Sequence, residues 1–129
     1  MDPLFLSLDE VLEMHQQQID RYGGSPGIRD SGGLQSALAT PQATFGGEYL
    51  HSSIPAMAAA YLFHICQNHA FIDGNKRVGA AALFLFLGAN GHALSCSEEE
   101  ETAMVWRAAA SEITEAEFVA WVERTTVAV

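Results

Sequence analysis

The nine residues HAFIDGNKR, His69 to Arg77, bring an imidazole, a carboxylate, a carboxamide, an ammonium and a guanidinium into one short stretch. Lys76 is the only lysine of the chain, and with Arg77 it makes up two of the six basic residues. Such a pair at the start of a helix can hold phosphate. The first-turn N–H groups lack intrahelical partners and the helix dipole adds positive potential there. Gly74 lets an anion approach that backbone closely, Lys76 adds a point charge, and Arg77 adds a two-pronged donor. Asn75 falls in the same first turn. Asp73 beside a phosphate suits Mg²⁺, which is usually held by one or two carboxylates plus substrate phosphates. His69, four residues upstream, can take a proton from an attacking hydroxyl.

Each of these residues also has a plainer reading. The cations could be a solvated pair, Asp73 a helix cap, and His69 a local hydrogen-bond partner. Phe71 is expected to enter the core and anchor the loop. His64, Cys66, His69 and Asp73 could ligate a metal one by one, but their spacing matches no zinc signature and His64 lies inside an apolar helix. His15 sits on the apolar stripe of the first helix, whereas His51 and His92 read as loop residues.

The elements that must position these groups read as helices. SLDEVLEMHQQQIDRY has apolar residues at helical spacing and a capping box from Ser7 and Glu10. The YGGSPGIRD cluster ends that helix, and DSGGLQSALAT predicts a short second one stopped before Pro41. PQATFGGEYLHSS reads as a flap. IPAMAAAYLFHICQN is an Ala-rich helix begun at Pro55. After the quoted loop, KRVGAAALFLFLGANG is apolar on nearly every face and predicts a central buried helix with a glycine stop. Two amphipathic helices, SEEEETAMVWRAAAS and TEAEFVAWVERTT, follow with acids in their first turns. No strand-like alternation, repeat or linker stands out. The expectation is one all-α domain over residues 1–129, a compact bundle of about six helices.

Composition narrows the partners. At 129 residues and 49% hydrophobic, the chain can bury a core without disulfides or metal staples. A net charge of -10 repels phosphate backbones and anionic lipid, so neither nucleic acid nor a membrane is expected as a direct partner. Cys66 and Cys96 form no framework. The N-terminus lacks a basic region before its apolar stretch, and the longest apolar run, Val78 to Ala89, is too short to span a bilayer. A cytoplasmic location is expected.

H-x-F-x-D-G-N-K-R resembles the signature of the Fic/Doc superfamily, in particular its death-on-curing (Doc) branch, the toxin half of a toxin–antitoxin pair. Seven fixed positions would coincide by chance on the order of once in 10⁹ starts. The resemblance extends to RYGGSPGIRDSGGLQSAL, FGGEY, AAAYLFHICQNHAF and FLFLGANG, and weakens beyond about Ser95. It implies a small helical bundle with the motif loop between two central helices. It further implies His69 as general base, Asp73 as the Mg²⁺ ligand, and Gly74, Asn75, Lys76 and Arg77 as the cradle of the ATP phosphates. The flap from Phe45 to Tyr49 would clamp the target segment.

Most Fic enzymes carry Gly where this chain has Lys76, and a second Arg where it has Ala80. Both departures match the Doc branch. They imply a protein kinase that binds ATP reversed and presents the γ-phosphate to a threonine of translation elongation factor Tu, halting protein synthesis. The alternatives are a protein AMP transferase and a catalytically inactive scaffold that binds an antitoxin. The superfamily's inhibitory motif [ST]-x-x-x-E-[GN] has its nearest match in SEITEA from Ser111, which ends in Ala116. A separate antitoxin with an inhibitory segment is therefore the implied partner.

Overall fold

The computed structural model describes residues 2–129. Six α-helices dominate it: α1 (Leu8–Tyr22), α2 (Ser31–Ala39), α3 (Ile54–Asn68), α4 (Asn75–Ala89), α5 (Glu98–Ala109) and α6 (Glu115–Thr125). The all-α expectation holds, and the helices begin where their caps predict. Ser7 and Glu10 form the expected capping box on α1, and Thr114 with Glu117 repeats it on α6. Asp30, Ser53 and Ser97 cap α2, α3 and α5 through their side chains. Pro41 does not end α2 abruptly but lies within a 3-10 turn, Thr40–Gln42, that continues it.

Two small antiparallel pairings were not legible as alternation, because two or three residues are too few to show a period. β1 (Thr44–Phe45) and β2 (Glu48–Tyr49) form a hairpin in the flap, turned by Gly46 and Gly47 at φ 61° and 84°. A tight two-residue hairpin turn needs such positive φ values. β3 (His92–Leu94) pairs with β4 (Thr126–Ala128), so His92 belongs to a strand and not, as expected, to a loop.

The centre of the fold is α3. Its residues Ala56 to Phe63 are all buried, and Tyr61, Phe63, Phe86 and Phe118 fill one core shared by α3, α4 and α6. The ring pairs Tyr61–Phe86 and Phe63–Phe118 lie at centroid distances of 5.1 and 5.8 Å. Small residues let α4 come close. A Cβ built on Gly79 would stand 2.7 Å from Cys66 Sγ and 3.3 Å from the Leu62 carbonyl oxygen. α4 is apolar all round but not buried all round: Phe84 and Leu85 are partly exposed and line a groove with Met14 and Gln17 of α1. Among the described residues no helix is long and apolar enough to cross a membrane.

Two consequences can be measured. Gly79→Ala gains helix propensity of about 1 kcal/mol but overpacks a buried helix contact, which typically costs about 1–3 kcal/mol. Cys66 cannot retreat from the core, so denaturant unfolding should report a net loss, recovered in part when Cys66→Ala is added. The second concerns alkaline pH. Burial pushes the Cys66 thiol from 9.0 up to about 12, the Lys76 charge opposing part of the rise, and burial takes the Tyr61 phenol from 10.0 up to about 12. The folded chain therefore holds both protons at pH values where the unfolded chain has released them. Their contribution to stability is complete below pH 9 and is lost as pH rises towards 12. The Tm should fall across that window, and Tyr61→Phe should flatten part of the slope.

Candidate active site

The motif loop occupies the six residues between α3 and α4. α3 stops at His69, which adopts the left-handed conformation with φ 45° and ψ 46°. For a residue with a Cβ this conformation costs free energy, roughly 1–2 kcal/mol, and the surroundings hold it in place. Arg29 Nε donates to the His69 carbonyl at 2.8 Å. The Arg29 and Asp30 N–H groups both donate to the Ala70 carbonyl, at 2.7 and 2.9 Å, and the Ile72 N–H donates to the Gly27 carbonyl at 3.1 Å. The YGGSPGIRD segment is thus a strap bound along the motif loop.

The centre of the loop is anchored twice. Phe71 is fully buried, and its ring stacks on that of His15 at 3.8 Å with an interplanar angle of 9°. His15 Nε2 lies 2.7 Å from the Asp73 carbonyl oxygen. A carbonyl only accepts, so Nε2 must carry the proton. His15 is a core residue as expected, and it also bolts the loop to α1. Asn75 supplies the second anchor: its Oδ1 accepts from the Phe71 N–H at 3.0 Å and its Nδ2 donates to the Phe71 carbonyl at 2.9 Å.

What remains free faces a cavity of about 430 Å³ lined by His69, Ile72, Asp73, Gly74, Asn75, Lys76, Arg77 and Trp106. The structure therefore brings together every residue that the motif singled out for chemistry. His69, Asp73 and Lys76 are exposed there. α4 begins at Asn75 without a side-chain cap, unlike the five other α-helices. Its N-cap is Gly74 at φ 80°, so Asp73 is not the helix cap that its position suggested. The Asp73 carboxylate instead accepts the Gly74 N–H at Oδ1, 2.8 Å, and the Ser25 N–H at Oδ2, 3.3 Å. The strap comes so close that a Cβ on Gly24 would meet Asp73 Oδ2 at 2.6 Å. Gly24 also has φ 113°, which a residue with a Cβ rarely adopts, so both conformation and space favour glycine there.

The two cations differ in freedom. Arg77 donates to the Gly23 carbonyl at 3.1 Å and lies over the Tyr22 ring at 5.7 Å, so the end of α1 fixes its guanidinium. Lys76 has no such partner among the described contacts, and its ammonium is open to the cavity. The Asn75 side chain is committed to Phe71, which leaves its backbone N–H as its group at the helix start. Asp73 is the lone carboxylate of the cavity, and among the described residues no three His, Cys, Asp or Glu side chains converge on a metal position. That donor set fits an ion that arrives with a phosphorylated ligand, as Mg²⁺ commonly does. His64 lies apart, 3.6 Å from a Glu115 carboxylate oxygen, and the Cys66 thiol points at the Asn75 carbonyl from within the core.

The model of the Fic/DOC family matches residues 5–87, which include the strap, α3, the whole motif and α4 as far as Leu87. The chain belongs to the Fic/DOC family. It is 40% identical over 82 residues to Toxin Doc of Mycolicibacterium smegmatis, a match that covers 64% of this chain and 63% of that protein. It is 34% identical over 86 residues to Protein kinase doc of Escherichia phage P1, covering 67% of this chain and 68% of the relative. The chain thus matches somewhat under two thirds of the first relative's length and just over two thirds of the second's. Within this Fic/DOC domain the sequence signalled the motif but not all of its supports. Arg29 and Ser25 stand in a segment read as a helix terminator and as part of the resemblance, with no role at the site given to either, and Trp106 lies on α5, beyond the matched region.

The anchoring by His15 can be tested alone. His15→Phe keeps a ring to stack on Phe71 but removes the donor to the Asp73 carbonyl. The expected loss is about 1–3 kcal/mol, read by denaturant unfolding, with faster amide hydrogen exchange over residues 70–74.

Proposed function

We propose that this chain is a Doc-like toxin, a protein kinase that transfers the γ-phosphate of ATP to a threonine hydroxyl of translation elongation factor Tu and so blocks translation. One observation carries the reading. The one α-helix among the described residues that starts without a side-chain cap, α4, opens beside Lys76 and Arg77 into a cavity that also exposes His69 and Asp73. In a chain of net charge -10, this combination favours a phosphorylated ligand. Kinship with a relative named Protein kinase doc supports the choice of reaction.

In this mechanism the free N–H groups at Asn75, Lys76 and Arg77, together with the Lys76 ammonium and the Arg77 guanidinium, hold the phosphates. His69 accepts the proton of the target hydroxyl as its oxygen bonds to the γ-phosphorus, and ADP leaves. Asp73 would hold Mg²⁺, which when bound neutralises phosphate charge. Catalysis is then positioning plus electrostatics, as in phosphoryl transfer generally. The flap hairpin, with Phe45 81% exposed at its turn, clamps the target segment.

The partner in this reading is an antitoxin whose inhibitory segment covers the cavity in trans. The SEITEA stretch is occupied otherwise. Ser111 has φ 59°, Thr114 caps α6, and Glu115 faces His64, so these residues build the turn between α5 and α6.

The test is paired labelling of purified elongation factor Tu with ATP carrying label at the γ- or the α-phosphate, in the presence of Mg²⁺. The expected result is label from γ-ATP alone, reduced about 10²–10⁴-fold in His69→Ala, the range for removing a general base. Label from α-ATP would instead make the protein an AMP transferase, and silence from both would leave an antitoxin-binding scaffold or another target.

A further inference from the structure

Six of the eight residues around the motif cavity are polar or glycine, and all six come from residues 69–77. The other two are apolar. Ile72, 56% exposed, belongs to the motif loop itself, whereas Trp106 enters from α5 and is 42% exposed. A phosphate site alone has no use for an indole. Nor does the fold require one there, since α5 packs on the core through Val105, Ala108 and Ala109. The second tryptophan shows the contrast: Trp121 is 4% exposed and donates Nε1 to Glu100 at 3.0 Å. Trp106 is a large aromatic surface left open at the edge of a cavity whose other walls come from the motif loop and the start of α4.

We propose that Trp106 is the platform on which the base of the bound nucleotide stacks, while its phosphates engage the start of α4. This rests on the reading of the cavity as a nucleotide site. The volume of about 430 Å³ lies within the range of small-molecule pockets, about 300–1,000 Å³. Trp106 is the one residue that α5 contributes to the lining, so that wall offers a π-face and no side-chain amide or carboxylate to read the edge of a base. Stacking tolerates any base because each has a π-face. The site therefore takes nucleoside triphosphates with little discrimination between adenine and guanine.

Calorimetric titration of the full chain in Mg²⁺ with ATP, GTP and inorganic tripolyphosphate tests this. The wild type should bind ATP and GTP within a few-fold of each other, and both at least about tenfold more tightly than tripolyphosphate. Trp106→Ala should weaken both nucleotides about tenfold or more and leave tripolyphosphate unchanged, while Trp106→Phe stays within a few-fold of wild type. Unchanged ATP affinity in a folded Trp106→Ala, or an equal loss for tripolyphosphate, would overturn the platform while leaving the nucleotide site standing. Should the alanine variant not fold, the wild-type ratio of ATP to tripolyphosphate decides, and a ratio near one overturns the platform. A wild type that binds no nucleotide removes the nucleotide reading and the platform together.

Discussion

The close approach of α3 and α4 determines where the chemistry can be. With Gly79 of α4 set against Cys66 and Leu62 of α3, the end of one helix and the start of the other are held side by side, and six residues must join them. So short a connection leaves few backbone solutions. The chain takes one in which His69 turns left-handed, Phe71 drops into the core, and Gly74 turns left-handed again before α4 begins. The polar groups are displayed because the apolar ones between them are buried. Packing of the helix pair and presentation of the motif are one constraint.

Holding that loop requires partners distant in sequence. Arg29 secures the His69 carbonyl, His15 secures the Asp73 carbonyl, and the strap's own N–H and C=O groups run along residues 70–72. These contacts satisfy backbone groups that neither helix can satisfy. They also leave the motif side chains unequal. Asn75 and Arg77 are held by protein partners, whereas Lys76 and His69 keep their polar ends for the cavity. A site built this way fixes the groups that set its geometry and leaves one charge without a protein partner among the described residues.

Much of this was legible from residue types. Caps at Ser7, Asp30, Ser53, Ser97 and Thr114 mark helix starts because each supplies an acceptor for the first free N–H groups. HAFIDGNKR marks the site because its spacing is local. The missed features are non-local or too short for a period. β3 and β4 are three residues each and lie far apart in the chain. Asp73 looked like a cap by position, yet the left-handed Gly74 intervenes and turns its carboxylate onto Ser25 and its own neighbour's N–H. Trp106 sits among alanines on an amphipathic helix, and no sequence spacing tells which cavity such a residue borders.

Asn90 and Gly91, at the far end of α4, act as a clasp for both ends of the described chain. Asn90 exchanges hydrogen bonds with Leu4, at 2.8 and 3.1 Å, and the Gly91 carbonyl accepts from the Val129 N–H at 2.8 Å. The motif lies at the opposite end of the same helix, about 22 Å away at 1.5 Å per residue over its 15 residues. A pulling force entering through Leu4 and Val129 would be borne at the clasp first. Fraying of the ends is thereby mechanically insulated from the loop, with a rigid helix as the spacer between them.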